Sequence, residues 1–261
     1  KPISGITNDL NDTEKSFDAQ ARQLAFDNNG VDTEAIVRLS DGTFWISEEY
    51  GPSLLHVSAN GTILQRIVPE TVAAQLSHVS YPVSGDLPAI YENRKLNRGI
   101  ESIAVSPDEQ FLYFIMQSPL QPDYSQSRHV RLTKYALNND GSLGAALGEY
   151  VYVMDRPETF ADAQGNGDAD KSQKDVKISE MLALGTDDLI ILERISKTTK
   201  LYRVQLSSGE NILNTSVSTQ AVSVKEDSQN KTLEFAYNLA SINAQAVHKA
   251  IAFNSLTDTP E

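Results

Sequence analysis

Apolar residues along most of the chain gather into short runs rich in Val, Ile, Leu, Tyr and Phe, each closed by polar turn residues. The clearest turns are Asp41-Gly42, Asn60-Gly61, Asp140-Gly141 and Ser208-Gly209. Branched and aromatic side chains suit a pleated, half-buried surface, and Gly after Asp or Asn supplies the left-handed backbone that a tight reversal needs. The pattern therefore predicts short strands of about four to eight residues joined by hairpins. Helical periodicity is weak. Its best windows are Pro69 to Leu76 and Ala240 to Ala252, the latter with Ile242, Ala246 and Val247. The expectation is an all-β protein with helical or loop inserts.

One hairpin pattern occurs three times. Glu34-Ala-Ile-Val-Arg-Leu-Ser-Asp41 runs into Gly-Thr-Phe-Trp-Ile-Ser, Glu101-Ser-Ile-Ala-Val-Ser-Pro-Asp108 into Glu-Gln-Phe-Leu-Tyr-Phe, and Glu180-Met-Leu-Ala-Leu-Gly-Thr-Asp187 into Asp-Leu-Ile-Ile-Leu. Each copy has a leading Glu, an apolar strand, a turn Asp and a second apolar strand. Hairpins repeated at wide spacing predict radial repetition, a β-propeller, ahead of a sandwich or unrelated hairpins. A four-stranded blade takes about 40–45 residues, which leaves room for a less regular blade in each interval. The prediction is one propeller domain over residues 1–261 with about six blades, six or seven, either closed or incompletely closed. Two stretches break the pattern: Gln75 to Arg98, an excursion of the kind that caps a propeller face, and the polar loop Phe160 to Asp175.

Composition narrows the chemistry. The formal charge of −13 opposes nucleic acid or an anionic membrane surface as partner, and favours bound divalent cations. An anionic substrate would need local cations. Without cysteine there is no disulfide, thiolate metal site or cysteine nucleophile. Apolar runs such as Phe111 to Met116 are far too short to span a bilayer, so no membrane insertion is expected. His56, His78, His129 and His248 show no paired metal-ligand spacing, and neither a Gly-x-Ser-x-Gly elbow nor a phosphate-binding Gly-rich Lys loop is present. Asp162, Asn166, Asp168 and Asp170 alternate without the full spacing of an EF-hand, which reads as a solvated loop.

A propeller's innermost strands converge on a central channel, so a Glu at the same place in several blades gathers carboxylates there. Such carboxylates bind a hard cation, pair with arginine, or share protons. Arg98, Arg131 and Arg194 have two readings: clamps for phosphate or carboxylate, or ion-pair partners that keep Glu34, Glu101 and Glu193 ionised. Asp41, Asp108 and Asp187 read as turn residues that bond their own backbone.

Asp32-Thr-Glu34-Ala, Asp41-Gly-Thr-Phe-Trp-Ile-Ser-Glu-Glu49-Tyr-Gly-Pro52, Asn97-Arg-Gly-Ile-Glu101, Gln117-Ser-Pro-Leu120, Arg131, Glu149-Tyr-Val-Tyr152, Ile178-Ser-Glu180 and Leu192-Glu-Arg194 follow in the order of the phytase-like family, which this chain resembles. It departs from the family at Ala35 and Ser102, where Gly is usual, and no closing Glu-Gly strand or Asn-Asp segment is found near the C-terminus. The resemblance implies a secreted or periplasmic bacterial propeller that hydrolyses phosphate or other esters. Repeat position and resemblance together assign Glu49, Glu101 and Glu193 to catalysis. They assign Arg98, Arg131, Arg194, Gln117 and Tyr50 to a small anionic ester or phosphoester substrate. Glu34, Glu49 and Glu101 are assigned to a divalent metal, with calcium as the candidate and a metal-activated water as the expected mechanism. The alternatives are a non-catalytic propeller that binds a ligand or protein, and a lactonase-like propeller enzyme.

Overall fold

The computed structural model describes residues 17–25, 29–121, 124–125, 127–161, 166–168, 170–219 and 245–256. Within them the chain forms three sheets, each an antiparallel four-stranded meander. The first runs β1 (Thr33–Arg38), β2 (Phe44–Glu48), β3 (Ser53–Val57) and β4 (Ile63–Pro69), and is extended by β5 (Val83–Leu87), which pairs in parallel with β4. The second contains β6 (Ile100–Val105), β7 (Phe111–Met116), β8 (His129–Leu137) and β9 (Leu143–Val153). The third contains β10 (Lys177–Gly185), β11 (Asp188–Arg194), β12 (Thr199–Gln205) and β13 (Lys249–Asn254). The first strands lie side by side, with β6 between β1 and β10. The sheets are therefore successive blades of a β-propeller.

This stacking explains the hydrophobic pattern. β6 and β7 are buried on both faces and read as nearly continuous apolar runs, whereas β10 alternates buried and exposed residues because one face alone is covered. The core joins all three blades through Trp45, Leu54, Ile103, Phe114, Tyr152, Met181 and Ile191. Trp45 stacks on His56 and donates its indole N–H to the Gly141 carbonyl in the second blade at 3.0 Å.

Three expectations need correction. The intervals between repeats hold no extra blade among the described residues. The first is used by β5 and a 3₁₀ turn at Ala89–Asn93, and the second by long strands and the turns Pro157–Phe160 and Gln173–Asp175. Helical structure does occur at Glu70–Ala73 and Ala74–Leu76, but the window Ala240 to Ala252 ends in β13. There the backbone bonds of β12, and of Val247 N–H to the Val151 carbonyl, prevail over a short apolar period, and residues 240–244 lie outside the described residues. Finally, Asp41 and Asp108 bond within their own turns, but Asp187 does not. Its carboxylate reaches the second blade, accepting from Lys134 Nζ at 2.6 Å and the Tyr113 hydroxyl at 3.2 Å.

In the polar loop, Asp168 is buried and accepts the Lys197 N–H, while Asp170 is exposed beside Lys171. Asp162 lies outside the described residues.

Candidate functional site at the converging strand ends

The left-handed residue that closes each innermost hairpin gives a common register: Gly42, Glu109 and Asp187 all have positive φ. Glu34 and Glu101 are each the eighth residue back from it, but in the third blade that place belongs to Ser179. The third Glu-led repeat is thus out of phase by one, and Glu180 corresponds to Ala35 and Ser102. The neighbouring strands follow the same register, since Thr33 pairs with Glu48, Ile100 with Met116 and Ile178 with Glu193. Glu49, Gln117 and Arg194 are the next residues in each. The three blades therefore offer Glu34 with Glu49, Glu101 with Gln117, and Ser179 with Arg194, running from acidic to basic.

Contacts join these pairs into one site. Gln117 Nε2 donates to Glu49 Oε1 at 2.6 Å and to Glu101 Oε2 at 2.5 Å, bridging the first two blades. Arg194 Nε donates to Ser179 Oγ at 2.5 Å. Backbone at Asn97-Arg98-Gly99 sets the approach: Asn97 takes a left-handed conformation, and a Cβ on Gly99 would lie 2.0 Å from the Glu49 carbonyl oxygen. Only glycine lets the Glu49 peptide pass this closely.

The acidic end contains Asp32, Glu34 and Glu49, each offering one oxygen within 4.8 Å of the others. Burial raises the Glu49 carboxyl to about 8, reinforced by Glu101, Glu34 and Asp32. Burial, with Glu101 and Asp32, raises Glu34 to about 7. Glu101 is also raised by burial, against the opposing pull of Gln117, Arg194 and Lys177. Crowded acids hold protons because removing them leaves like charges close together in a poorly solvated site. An all-oxygen donor set suits a hard cation such as calcium or magnesium. Gln117 Oε1 is buried and has no hydrogen-bond partner among the described residues, while its Nε2 faces the acids.

The basic end contains Arg98, Lys177 and Arg194. Burial lowers Lys177, assisted by Arg98 and Arg194, which places three cations near one another. Arg98 Nη1 is steered by Ser118 Oγ and the Lys174 carbonyl, both at 2.9 Å. The structure thus brings together Glu34, Glu49, Glu101, Gln117, Arg98 and Arg194 from the sequence prediction, and adds Asp32 and Lys177. Both additions had a signal: Asp32 is two residues before Glu34, and Lys177 pairs with Arg194 across the third hairpin.

Three predicted residues lie elsewhere. Glu193 corresponds to Glu48, one residue out of phase with the site, and both acids are buried in ion pairs. Glu48 holds Arg66 and the Tyr50 and Gly51 N–H groups, while Glu193 holds Lys249, the Tyr152 hydroxyl and the Asp155 N–H. Arg131 is taken up by Glu149 and the Val217 and Ser218 carbonyls. Tyr50 is buried and contributes its carbonyl to Arg94. All three are buried and bonded within the strand framework.

Comparison with known proteins adds a family match. The model of the phytase-like family, described as esterase-like activity of phytase, matches residues 5–250. An uncharacterized secreted protein of the fungus Arthroderma benhamiae is 30% identical over 215 residues, covering 77% of this chain and 41% of the relative. The chain therefore spans about two fifths of that relative's length. Similar solved structures include the RRP9 WD40 repeats, with TM-score 0.27, 9% identity and coverage of 66% of this chain and 48% of the other. Virginiamycin B lyase from Staphylococcus aureus gives TM-score 0.25 and 10% identity, covering 68% of each chain. Overlaps this low carry no weight below. No helix among the described residues is long and apolar enough to cross a membrane.

Proposed function

Because the chain belongs to the phytase-like family, we propose that its converging strand ends hydrolyse a small anionic ester, a phosphoester first of all, with a divalent cation at the acidic end. The observation that carries this reading is the juxtaposition of Asp32, Glu34 and Glu49 with the cations Arg98, Lys177 and Arg194. Asp32, Glu34 and Glu49 would hold the metal. A bound divalent ion supplies charge stabilisation at the ester oxygens and a more acidic water.

The remaining roles fall to the protein's own groups. Arg98 and Arg194 orient the anionic group through planar donor pairs, and Lys177 adds charge. Glu101, held by Gln117, is the proton acceptor on the acidic side. The secreted relative supports export of this chain, to the periplasm or beyond the cell.

The test is turnover of a panel of phosphate monoesters, carboxylic esters and lactones with calcium, magnesium, manganese or chelator. Cation-dependent phosphoester turnover that falls at least ~100-fold in Glu49→Gln supports the proposal. Absence of turnover with every substrate and cation would overturn it. A second reading, a propeller that binds an anion without cleaving it, draws on the protein partners that Arg98 and Arg194 already have. It predicts anion binding without turnover.

A further inference from the structure

The third blade places a serine where the first two place acids, and that serine borders both ends of the site. Ser179 stands in register with Glu34 and Glu101, on β10, the strand beside β6. Its Oγ accepts from Arg194 Nε at 2.5 Å, and its hydroxyl hydrogen-bonds the Glu101 carboxylate. Glu101 is held in turn by Gln117 Nε2 at 2.5 Å. A hydroxyl, a carboxylate within reach of its proton, and a third group that fixes the carboxylate form the arrangement that activates a nucleophile. Arg98, Lys177 and Arg194 gather positive charge beside it, where a transferring anionic group gains most from fixed cations. Exposure separates Ser179 from the neighbouring hydroxyls. Ser47, Ser102 and Ser118 are buried, whereas Ser179 is half-buried on its strand.

We propose that Ser179 is the nucleophile of this site and carries the phosphoryl group through a covalent intermediate, with Glu101 as its base. The inference rests on the hydrolytic reading above and adds the path of the reaction. Ser179 Oγ bonds to phosphorus as its proton passes to Glu101, the bond from phosphorus to the leaving oxygen breaks, and Glu101 returns the proton to that oxygen to release an alcohol. Water then attacks the phosphoserine. Its proton passes to Glu101, the bond from phosphorus to Oγ breaks, Glu101 returns the proton to Ser179, and inorganic phosphate leaves. Both side chains end as they began. Arg194, already bonded to Oγ, stabilises the charge that gathers there, a hydrogen bond strengthened by its cationic donor. Arg98 and Lys177 serve the phosphoryl oxygens. Gln117 is a positioning residue, since it acts through Glu101.

Labelling the full chain with a small fluorophosphonate, in calcium, magnesium or chelator, tests the proposal without requiring turnover. Fluoride leaves as phosphorus bonds to the nucleophile, and the stable adduct is located by peptide mass spectrometry. One adduct per chain is expected, at Ser179. Ser179→Ala should remove it, and Glu101→Gln should slow labelling about 100-fold. Ser102→Ala, at a buried hydroxyl bonded to Glu180, should leave it unchanged. Thermal melting confirms that each variant is folded. A wild-type chain unlabelled at Ser179, or a label indifferent to Glu101→Gln, would overturn the assignment. The ester panel separates this outcome from failure of the hydrolytic reading. Turnover at the wild-type rate in Ser179→Ala would keep hydrolysis and remove the nucleophile, whereas a Ser179 adduct in a chain that turns over no ester would keep the nucleophile and remove hydrolysis.

Discussion

Gly99 lies directly against the backbone of Glu49, with space for a hydrogen where any other residue would place a carbon 2.0 Å from the Glu49 carbonyl oxygen. This contact fixes the first blade's acidic end against the second blade, where the Gly99 carbonyl accepts the Gln117 N–H at 2.9 Å.

Gly99→Ala should therefore push Glu49 away from Gln117 and Glu34. The expected result is a folded protein destabilised by about 1–3 kcal/mol through overpacking, with cation affinity reduced at least tenfold. Isothermal titration and thermal melting check the two effects separately. Wild-type cation binding in the alanine variant would remove Gly99 from any positioning role.

Glu34 and Glu49 set the pH response of the metal-free protein. Their folded carboxyls are raised to about 7 and about 8, above the ordinary Glu value, so the folded state keeps protons that the unfolded chain releases. Stability in chelator should fall as pH rises from about 4.5 to about 8. A divalent cation should restore it at pH 8, and Glu49→Gln should flatten the decline. Melting temperatures across this range, with and without calcium or magnesium, provide the check.

Acid acts on a different group. Burial opposes ionisation of Asp155, but Lys249, Lys200 and the Tyr202 hydroxyl outweigh it and hold the carboxyl well below its usual range. That contribution is complete above the ordinary Asp value of about 3.9 and is lost as pH falls through the depressed folded value. Acid unfolding below about pH 4 should be less steep in Asp155→Asn.

Lys249→Ala should be costlier. It leaves Glu193 buried beside Tyr152 without its cation and releases β13 from Asp155, for an expected loss of about 3–5 kcal/mol. Lys249→Arg should retain part of the stability. Chemical denaturation measures both variants, and an alanine variant within about 0.5 kcal/mol of wild type would show that this network does not hold the strand.

The propeller was legible because a blade is a local object: period-two apolar strands and turn dipeptides disclose each hairpin before the blades meet. Blade number was less accessible, since strand length and inserts such as β5 consume the same residues that a further blade would. Glu34, Glu49, Glu101, Gln117, Arg98 and Arg194 could be found from repeat position and family-like motifs. Glu193 could not be separated from them, because a one-residue phase change in a strand moves a side chain to the other face. The third hairpin places its left-handed residue at Asp187 itself, whereas the first two place it one residue after the turn Asp. That difference moves Ser179 into the acidic position and turns an apparent ring of three glutamates into a gradient from acid to base.

The central claim is that Asp32, Glu34 and Glu49 form a divalent-cation site beside the three cations. Isothermal titration of the chelator-treated chain with calcium, magnesium and manganese tests it most directly. One cation should bind per chain, with affinity reduced at least tenfold in Glu34→Gln and in Glu49→Gln and unchanged in Glu193→Gln if that variant folds. No binding of any of the three ions, or binding indifferent to Glu34 and Glu49, would contradict it.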